Sequence, residues 1–211
     1  MNAGKEEIRE LDRIYRLNLI NSISGIKPAN LIGTVSPEGI NNVAIFSSVV
    51  HLGSNPPQLG MIMRPQTPDI KDTYRNIKES GFYTINHVTA DFHKKAHYTS
   101  AKLSREESEF DRMKLTPEII KDFAAPFVGE SPVKMGMKLL EFIDLPNGCI
   151  LTIGEVERLI VKDTALLKNG QLDLSEYGNV GISGLNSYYK LTALDTLPYV
   201  REDEIPEFGE E

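Results

Sequence analysis

The chain has 211 residues, of which 40% are hydrophobic and 25% charged, and its formal net charge is -7 at pH 7. These are the values of an ordinary globular protein, and they exclude a disordered chain. The negative field disfavours nucleic acids and anionic membranes, so we expect neither as a partner. A local group of donors can still hold a phosphate, because distant surface charge is screened beyond about 10 Å at cellular salt.

Length and cysteine content narrow the class further. A chain of this size forms one domain by default, and we take residues 1–211 as a single domain whose core lies at 17–190. Cys149 is the only cysteine, which excludes an intrachain disulfide and a zinc cluster built from thiolates. The sequence shows no apolar leader and no stretch near the about 18 apolar residues of a membrane span, so a cytoplasmic location is expected.

The first half of the chain predicts a helix followed by strands. Apolar residues at three- and four-residue spacings over 5–22 predict one amphipathic helix that covers an end of a barrel. Two β-rich runs at 30–36 and 42–50, joined by a Pro/Gly turn, predict a hairpin. Consecutive prolines end this pairing, and the largely apolar run 58–64 predicts a third strand.

The clearest helix signal lies at 67–81. Thr67 suits the N-cap position, Pro68 the first helical position, and Gly81 the C-terminal cap. The β-rich run 82–86 follows at once and predicts a strand.

The polar stretch 89–121 predicts an excursion outside the barrel. Ser104 and Glu107 have the spacing of a capping box, which predicts a short helix there. Thr116 and the proline after it predict a further helix start.

A second hairpin is predicted by the strands 134–143 and 149–161 on either side of a Pro-Asn-Gly turn. The β signals thus come in hairpins rather than in strand-helix-strand alternation. This pattern predicts a mainly β fold with helices (α+β), an antiparallel, Greek-key-like barrel with helical excursions, rather than a doubly wound sheet. Residues 201–211 form an acidic tail.

Familiar catalytic motifs are missing, because the sequence has no GxGxxG after a strand, no GxxxxGK[ST], no HExxH and no GxSxG. The segment 181–184 (GISG) is one residue too short for a nucleophile elbow. His93 and His97 share a helix face but lack a third metal ligand, so a solvated face is favoured and no metal site is predicted. His51 and His87 each end a predicted strand, where an imidazole either contacts a ligand or caps a loop.

Phosphate binding has a better physical basis. The amides at the start of the helix 67–81 are free and carry a partial positive charge. Arg64, Thr67, Lys71 and Thr73 all lie within reach of that start and can converge on one dianion. The pattern alone nevertheless favours a simpler alternative, a capped surface helix.

Two serines, Ser47 and Ser48, interrupt an apolar strand. A buried hydroxyl without a partner costs about 1 to 3 kcal/mol, so both need hydrogen bonds. A polar ligand on the barrel or the neighbouring backbone supplies the partner equally well, and both alternatives stay open.

Several segments taken together resemble the flavin reductase-like family of FMN-binding split barrels. They are NLIGT at 30–34, NVAIFSS at 42–48 with SNPP at 54–57, KDTYRNI at 71–77, FYTIN at 82–86, and TSA at 99–101 with SEF at 108–110. Their order and spacing carry the resemblance, which covers residues 17–189.

The resemblance implies where a cofactor lies. The run from Phe46 to Val49 follows the isoalloxazine ring and ribityl chain of FMN, and the run from Lys71 to Thr73 helps to hold the phosphate. Asn86 matches a strand-ending asparagine near the flavin, and the Ser100 loop closes over the cofactor near a dimer seam. With the phosphate residues above, the candidate cofactor contacts are Phe46, Ser47, Ser48, Val49, Arg64, Thr67, Lys71, Thr73, Asn86, Ser100 and Ala101.

The predicted function is therefore an FMN-binding oxidoreductase that transfers hydride from NADH or NADPH to flavin, with FAD a less suited cofactor. Such a transfer needs stacking and electrostatic stabilisation rather than an acid or base of unusual pKa, so we assign no catalytic residue. The resemblance also implies a homodimer, and delivery of electrons to free flavin, a monooxygenase partner or another acceptor. The sequence departs from the family at 27–29 and 181–189, which bear on nicotinamide access and substrate choice.

Three alternatives stay open. An oxidase like pyridoxamine-phosphate oxidase shares the barrel and FMN but oxidises an amine. An FMN-binding electron carrier holds flavin without nicotinamide turnover. A barrel of this type can also bind another phosphorylated or apolar ligand. The roles of Tyr188, Tyr189, His51 and His87 are likewise undecided.

Overall fold

The computed structural model describes residues 1–207, and its elements are numbered in chain order. The α-helices within this range are α1 (Lys5–Glu10), α2 (Arg13–Ser22), α3 (Asp72–Ser80), α4 (His93–Tyr98) and α5 (Glu109–Met113). The strands are β1 (Lys27–Pro28), β2 (Asn30–Val35), β3 (Asn41–Phe46), β4 (Val50–Ser54), β5 (Pro57–Met63), β6 (Phe82–His87), β7 (Pro117–Glu118), β8 (Phe127–Val128), β9 (Val133–Asp144), β10 (Ile150–Val161), β11 (Val180–Ser183) and β12 (Ser187–Lys190). Short 3₁₀ turns lie at Asp163–Ala165 and Glu202–Glu204.

Seven strands form one antiparallel sheet in the order β3-β2-β6-β9-β10-β5-β4. Both predicted hairpins are confirmed, since β2 pairs with β3 and β9 pairs with β10. The predicted strand 42–50 is wrong in its extent, because β3 ends at Phe46 and Val50 already belongs to β4, which pairs with β5. The edge strands β3 and β4 are consecutive in the chain and are separated only by residues 47–49. Because this link spans at most about 14 Å, the two edges must lie side by side. The sheet therefore curls into a barrel, as predicted, and the link 47–49 is called the crossover below.

The two faces of the sheet carry separate hydrophobic clusters, as the alternation of side chains along strands requires. One cluster takes residues from strands all round the barrel and from α3, so it fills the barrel: Ile32, Met61, Met63, Ile77, Tyr83, Ile85, Met137 and Ile150. The other lies between the outside of β2 and β3 and the excursion: Ala29, Leu31, Val43, Val88, Phe92, Ala96, Phe110, Leu115, Val128, Val180 and Ile182.

Helix α3 begins later than predicted. Its first helical hydrogen bond runs from Arg75 N to Lys71 O at 3.0 Å, so Thr67 and Pro68 are not its cap and first residue. The Gln66 side chain accepts from Lys71 N at 2.9 Å, and this bond forms the turn that precedes the helix. The predicted end is confirmed, because Gly81 caps the helix with φ 75.

The predicted N-terminal helix is two helices. Asp12 ends the first and caps the second, since its Oδ1 accepts from Ile14 N at 2.9 Å and Tyr15 N at 3.0 Å. Neither α1 nor α2 contributes a buried residue, so the prediction that they cover a barrel end is wrong for this chain. No helix within residues 1–207 is long and apolar enough to cross a membrane.

The excursion differs from its prediction in two places. Ser104 and Glu107 do hydrogen-bond, but they close a turn, and the next helix, α5, begins only at Glu109 with Ser108 at its N-cap position. Pro117 begins strand β7 instead of a helix, because Glu118 pairs with Phe127 of β8. Of the predicted acidic tail, residues 208–211 lie outside the described residues.

Candidate functional site

The peptide groups of the crossover lack the hydrogen bonds that the strands on either side of it form. Within the described residues, no backbone-to-backbone hydrogen bond involves Ser47, Ser48 or Val49, although all three are half-buried. Phe46 and Val49 direct their side chains into the barrel cluster. A planar, hydrogen-bonding ligand thus meets free peptide groups here, which is an arrangement that a strand ladder does not offer.

The partner of the Ser48 hydroxyl is the neighbouring backbone. Its Oγ donates to Ile62 O at 2.9 Å and accepts from Ile62 N at 3.1 Å. The hydroxyl therefore replaces a backbone partner where the β4–β5 register would continue, and it is not free for a ligand. The same bonds hold the crossover beside the end of β5, where the 64–71 loop begins.

The 64–71 loop leads from the end of β5, beside the crossover, to the start of α3. Arg64 is exposed and forms no ion pair with a described residue, and Thr67 is also exposed, with no side-chain hydrogen bond to one. The first-turn amides of α3 have no intrahelical acceptor and carry the positive end of the helix dipole. Arg64 and the amides thus provide positive charge along one path from the crossover.

Two lysines from different segments meet at this helix start. Lys71 Nζ lies 4.0 Å and Lys102 Nζ 3.8 Å from the same Asp69 Oδ2. Arg105 lies nearby, 3.6 Å from Asp72. Arg105 also lies 3.3 Å from Glu38, so these three cations face three carboxylates. The pairing of Lys102 with Asp69 brings the segment after Ser100 and Ala101 beside the 64–71 loop.

Thr73 is placed differently from its prediction. Its Oγ1 is buried and donates to Asn42 Oδ1 at 3.2 Å, so the hydroxyl points away from the helix start. Asn42 also accepts from Thr34 at 3.1 Å, and Thr34 accepts from Asn76 at 3.1 Å. Only the backbone amide of Thr73 is left for a phosphate, because its side chain belongs to this network.

Asn86 is not brought to the site. It is fully buried, and its Nδ2 donates to Leu31 O at 3.0 Å and to Thr84 Oγ1 at 2.8 Å. Its Oδ1 accepts from Val128 N at 3.0 Å. Asn86 therefore fastens the short strand β8 to the barrel, and all its hydrogen-bonding groups are used for that.

Glu109 is a site-supporting residue that the sequence did not single out. It is buried at the start of α5, and its Oε2 accepts from Asn42 Nδ2 at 2.8 Å and Val43 N at 3.3 Å. Burial raises the pKa of this carboxyl. The only sign of Glu109 in the sequence was its place in the SEF segment of the resemblance. The sequence does not reveal that the excursion folds back onto edge strand β3.

His87 lies in a second polar cluster, at the other end of β2. Its Nδ1 is 2.7 Å from Asn179 Nδ2, and burial lowers the pKa of the imidazole to about 4. It pairs in register with Asn30, which is 1% exposed and whose amide nitrogen and oxygen both lack a described partner. The neutral His87 therefore packs as part of the structure at the end of β6.

The other histidines lie on the outside of the molecule. His97 Nδ1 is 3.1 Å from Tyr188 Oη, and the His93 ring packs 5.4 Å from the Tyr188 ring. His51 is exposed within β4 and hydrogen-bonds Ser54. Among residues 1–207, no three His, Cys, Asp or Glu side chains are grouped to hold a metal ion.

The two departures from the family pattern lie together in space. Strand β1, from the first departure, pairs with β11, which pairs in turn with β12. These three strands form a small separate sheet. Ser183, the serine of the GISG segment, is an ordinary strand residue opposite Ser187.

Comparison with known proteins agrees with this architecture. A structure from Shewanella frigidimarina NCIMB 400, described as a flavin reductase with a split barrel domain, is 46% identical, with 95% of this chain and 100% of that chain covered and a TM-score of 0.90. The flavoredoxin of Desulfovibrio vulgaris (Miyazaki F) is 25% identical, with 82% and 91% covered and a TM-score of 0.72. An uncharacterized protein of Aquifex aeolicus (strain VF5) is 28% identical over 185 residues, 87% of this chain and 93% of the relative.

The family itself follows from the length of the match. The model of the flavin reductase like domain matches residues 26–173, which is more than half of the chain and includes the crossover, α3 and the excursion. The matched range also contains every strand of the seven-stranded barrel. The chain therefore belongs to the flavin reductase-like domain family, and its fold is the split barrel of that family.

Proposed function

We propose that the protein binds FMN and transfers hydride from NADH or NADPH to it, as a flavin reductase. The observation that carries this proposal is the continuity between two features. The free peptide groups of the crossover lie beside the end of β5, from which the 64–71 loop runs to a helix start that carries Lys71 and Lys102. One elongated ligand with a flat heterocycle at one end and a phosphate at the other matches both.

The donor set fits FMN at each end. A phosphate monoester is a compact dianion, and Lys71, Lys102 and the first-turn amides of α3 supply charge-assisted hydrogen bonds for it. The peptide groups of Ser47 to Val49 suit the carbonyl oxygens and ring nitrogens of a flavin. A single terminal phosphate at a helix start favours FMN over FAD.

Bound flavin would supply the hydride acceptor, and the chain's own residues would bind and orient it. Lys71 and Lys102 would neutralise the phosphate, while the rigid link through Ser48 would hold the crossover at a fixed distance from it. No side chain needs to act as acid or base, because the transfer needs stacking and electrostatic stabilisation instead. We assign no catalytic residue.

The similarity to a flavoredoxin favours a second candidate, an electron carrier that keeps FMN without oxidising a nicotinamide. For both functions we propose a homodimer, and for the reductase an acceptor such as free flavin or a monooxygenase partner. The two functions differ in one property, which is whether a reduced nicotinamide bleaches the bound flavin.

The test is visible absorption of the purified protein after incubation with FMN and desalting, followed anaerobically while NADH or NADPH is added. Retained flavin that bleaches supports the reductase, and retained flavin that stays oxidised supports the carrier. If no flavin is retained or titrated, both candidates are wrong. Rapid bleaching by a reduced nicotinamide, together with no amine turnover in a separate assay in air, would also exclude an oxidase like pyridoxamine-phosphate oxidase.

The proposed phosphate site predicts the effect of one double variant. Lys71→Ala with Lys102→Ala removes two partly exposed cations, so we expect the Kd for FMN to rise about tenfold. Lys121→Ala, an exposed lysine of the excursion, is the matched control and should leave the Kd unchanged. Equal FMN titration curves for the double variant and the control would refute the assignment.

A further inference from the structure

Helix α2 carries an apolar surface that no described residue covers. Ile14, Leu17, Ile20 and Ile23 are exposed, Ile23 to 68%. A shallow groove on this helix is lined by Arg13, Arg16, Leu17, Ile20 and Asn21. Neither arginine forms a direct ion pair with a described residue, so the groove combines apolar side chains with two guanidinium groups that are free to pair. Contiguous apolar surface of this kind marks an interaction site.

The C-terminal segment has the opposite charge and is equally uncovered. Leu194 is exposed to 100% and Tyr199 to 91%, and Leu197 and Ile205 are exposed as well. The acidic run from Glu202 to Glu204 stands between these apolar residues. After the bond from Ala193 N to Ser175 Oγ, the only hydrogen bonds among described residues beyond 193 are local ones. The segment 194–205 is called the tail below.

The tail could reach its own α2 but does not use it. Helix α2 runs into β1, and the tail leaves β12, two strands away in the same small sheet. Strands are spaced by about 4.8 Å, so the two elements are rooted only about 10 Å apart. The apolar side chains of the tail are exposed despite this proximity. The chain therefore has both complementary surfaces and leaves both open.

We propose that the tail of one copy docks in the α2 groove of a second copy, with the acidic run facing Arg13 and Arg16. A two-fold axis makes this contact twice, once in each direction, because each copy offers one groove and one tail. The pairing buries the apolar residues of both elements and neutralises both charges. It involves neither the crossover nor α3, and so it stands or falls independently of flavin binding.

A charge exchange tests the proposal with the full-length protein. The helix variant is Arg13→Glu, since Arg16 also holds the carbonyls of Arg9 and Leu11 and is left intact. The tail variant is Glu202→Lys with Asp203→Lys, since the Glu204 side chain accepts from Arg201 N. Each variant alone places like charges at every contact. An equimolar mixture restores opposite charges at both contacts of a mixed dimer.

The readout is the rate of chymotrypsin cleavage after Tyr199, followed by mass spectrometry, with sedimentation velocity on the same samples. For the unchanged protein we expect slower cleavage as its concentration rises. Each variant alone should be cut about fivefold faster, as the loss of partly exposed ion pairs implies. The mixture should return to the original rate. Lys168→Glu, in an exposed turn, is the charge-matched control.

Two results would overturn the proposal. Variants that are cut faster but gain no protection on mixing would show that the tail docks on its own chain or on a different surface. A cleavage rate for the unchanged protein that is independent of concentration would show that no second copy covers the tail. Because no flavin is required, neither result bears on the FMN titration.

Discussion

Two polar clusters lie at opposite ends of the same face of β2, with Ile32 between them. At one end Thr34 joins Asn42, Thr73 and Asn76 through side-chain hydrogen bonds, and Glu109 completes the network. At the other end Asn30 pairs with His87, whose imidazole has Asn179 as its one hydrogen-bond partner among the described residues. The first cluster leaves one buried side-chain atom unpaired, Asn76 Oδ1, whereas the second leaves three, on Asn30 and Asn179.

The difference shows how the same kind of residue serves two purposes. The paired cluster joins β3, α3 and α5, which come from distant parts of the chain, and so it fixes the helix start that we propose for the phosphate. The unpaired cluster joins little and costs stability, because each buried polar group without a partner is unfavourable. Substitutions at matched positions should therefore have opposite signs in the two clusters.

The largest effect is expected from Glu109→Ala. The change leaves Asn42 Nδ2 and Val43 N buried without acceptors, so the free energy of unfolding should fall by about 3 kcal/mol. Urea denaturation measures this, and Glu106→Ala, an exposed neighbour, should change it by less than about 0.5 kcal/mol. Equal midpoints for the two variants would mean that the network does not hold the excursion to β3.

His87 should make stability depend on pH. Burial lowers the pKa of its imidazole to about 4 from 6.5, so the unfolded chain binds the proton first as pH falls. The stabilisation is complete above about pH 6.5 and is lost as pH falls toward about 4, by about 2 kcal/mol because the ring is partly accessible. His87→Gln should flatten this slope between pH 4 and 6.5, whereas exposed His51→Gln should not.

Asn30 provides the direct contrast with Asn42. Asn30→Leu removes two unpaired buried atoms at nearly constant volume, so we expect a gain of about 1 kcal/mol in the free energy of unfolding. Asn42→Leu, the same change in the paired cluster, should lower it. A loss in both variants would show that Asn30 has a partner, such as buried water, and that the two clusters are alike.

The smallest effect concerns the charge on Glu109. Burial raises the pKa of its carboxyl above the ordinary 4.5, so its contribution to stability is complete below that pH and decreases as pH rises through the raised value. Glu109→Gln keeps an acceptor for Asn42 and removes the titration. Its stability should therefore change less with pH than that of the unchanged protein, in urea melts from pH 4 to 8.

The barrel was predictable from the sequence because hairpins are local. Alternating residues and Pro/Gly turns mark β2, β3, β9 and β10 and predict their two hairpins, whereas the pairings of β2 with β6, β6 with β9 and β10 with β5 are long-range and were not predicted. The end of α3 was predictable for the same reason, since Gly81 acts on its own helix. Its start was not, because the bond from Gln66 to Lys71 competes with a plausible cap and proline at 67 and 68.

The direction of polar side chains in the site was the part that the sequence could not reveal. Thr73 bonds a residue 31 positions away and Asn86 one 42 positions away, so neither partner is visible in the local pattern. Glu109 depends on the excursion returning to β3 across 67 positions. For residues that would act through backbone groups or long exposed side chains, Ser47 and Lys71 among them, the cofactor contacts that the resemblance implied stay a prediction.

The crossover has a mechanical consequence. The two edge strands of the sheet, β3 and β4, are consecutive in the chain. They are therefore joined by the three residues of the crossover and not by a ladder of hydrogen bonds. Unpaired edge strands can pair with strands of other molecules. Here Glu109 accepts a hydrogen bond from the Val43 amide of one edge, and Ser48 donates one to the Ile62 carbonyl beside the other edge. A molecule bound along those three residues would hold the two edge strands together. Binding alone, without any reaction, would then slow the separation of β3 from β4.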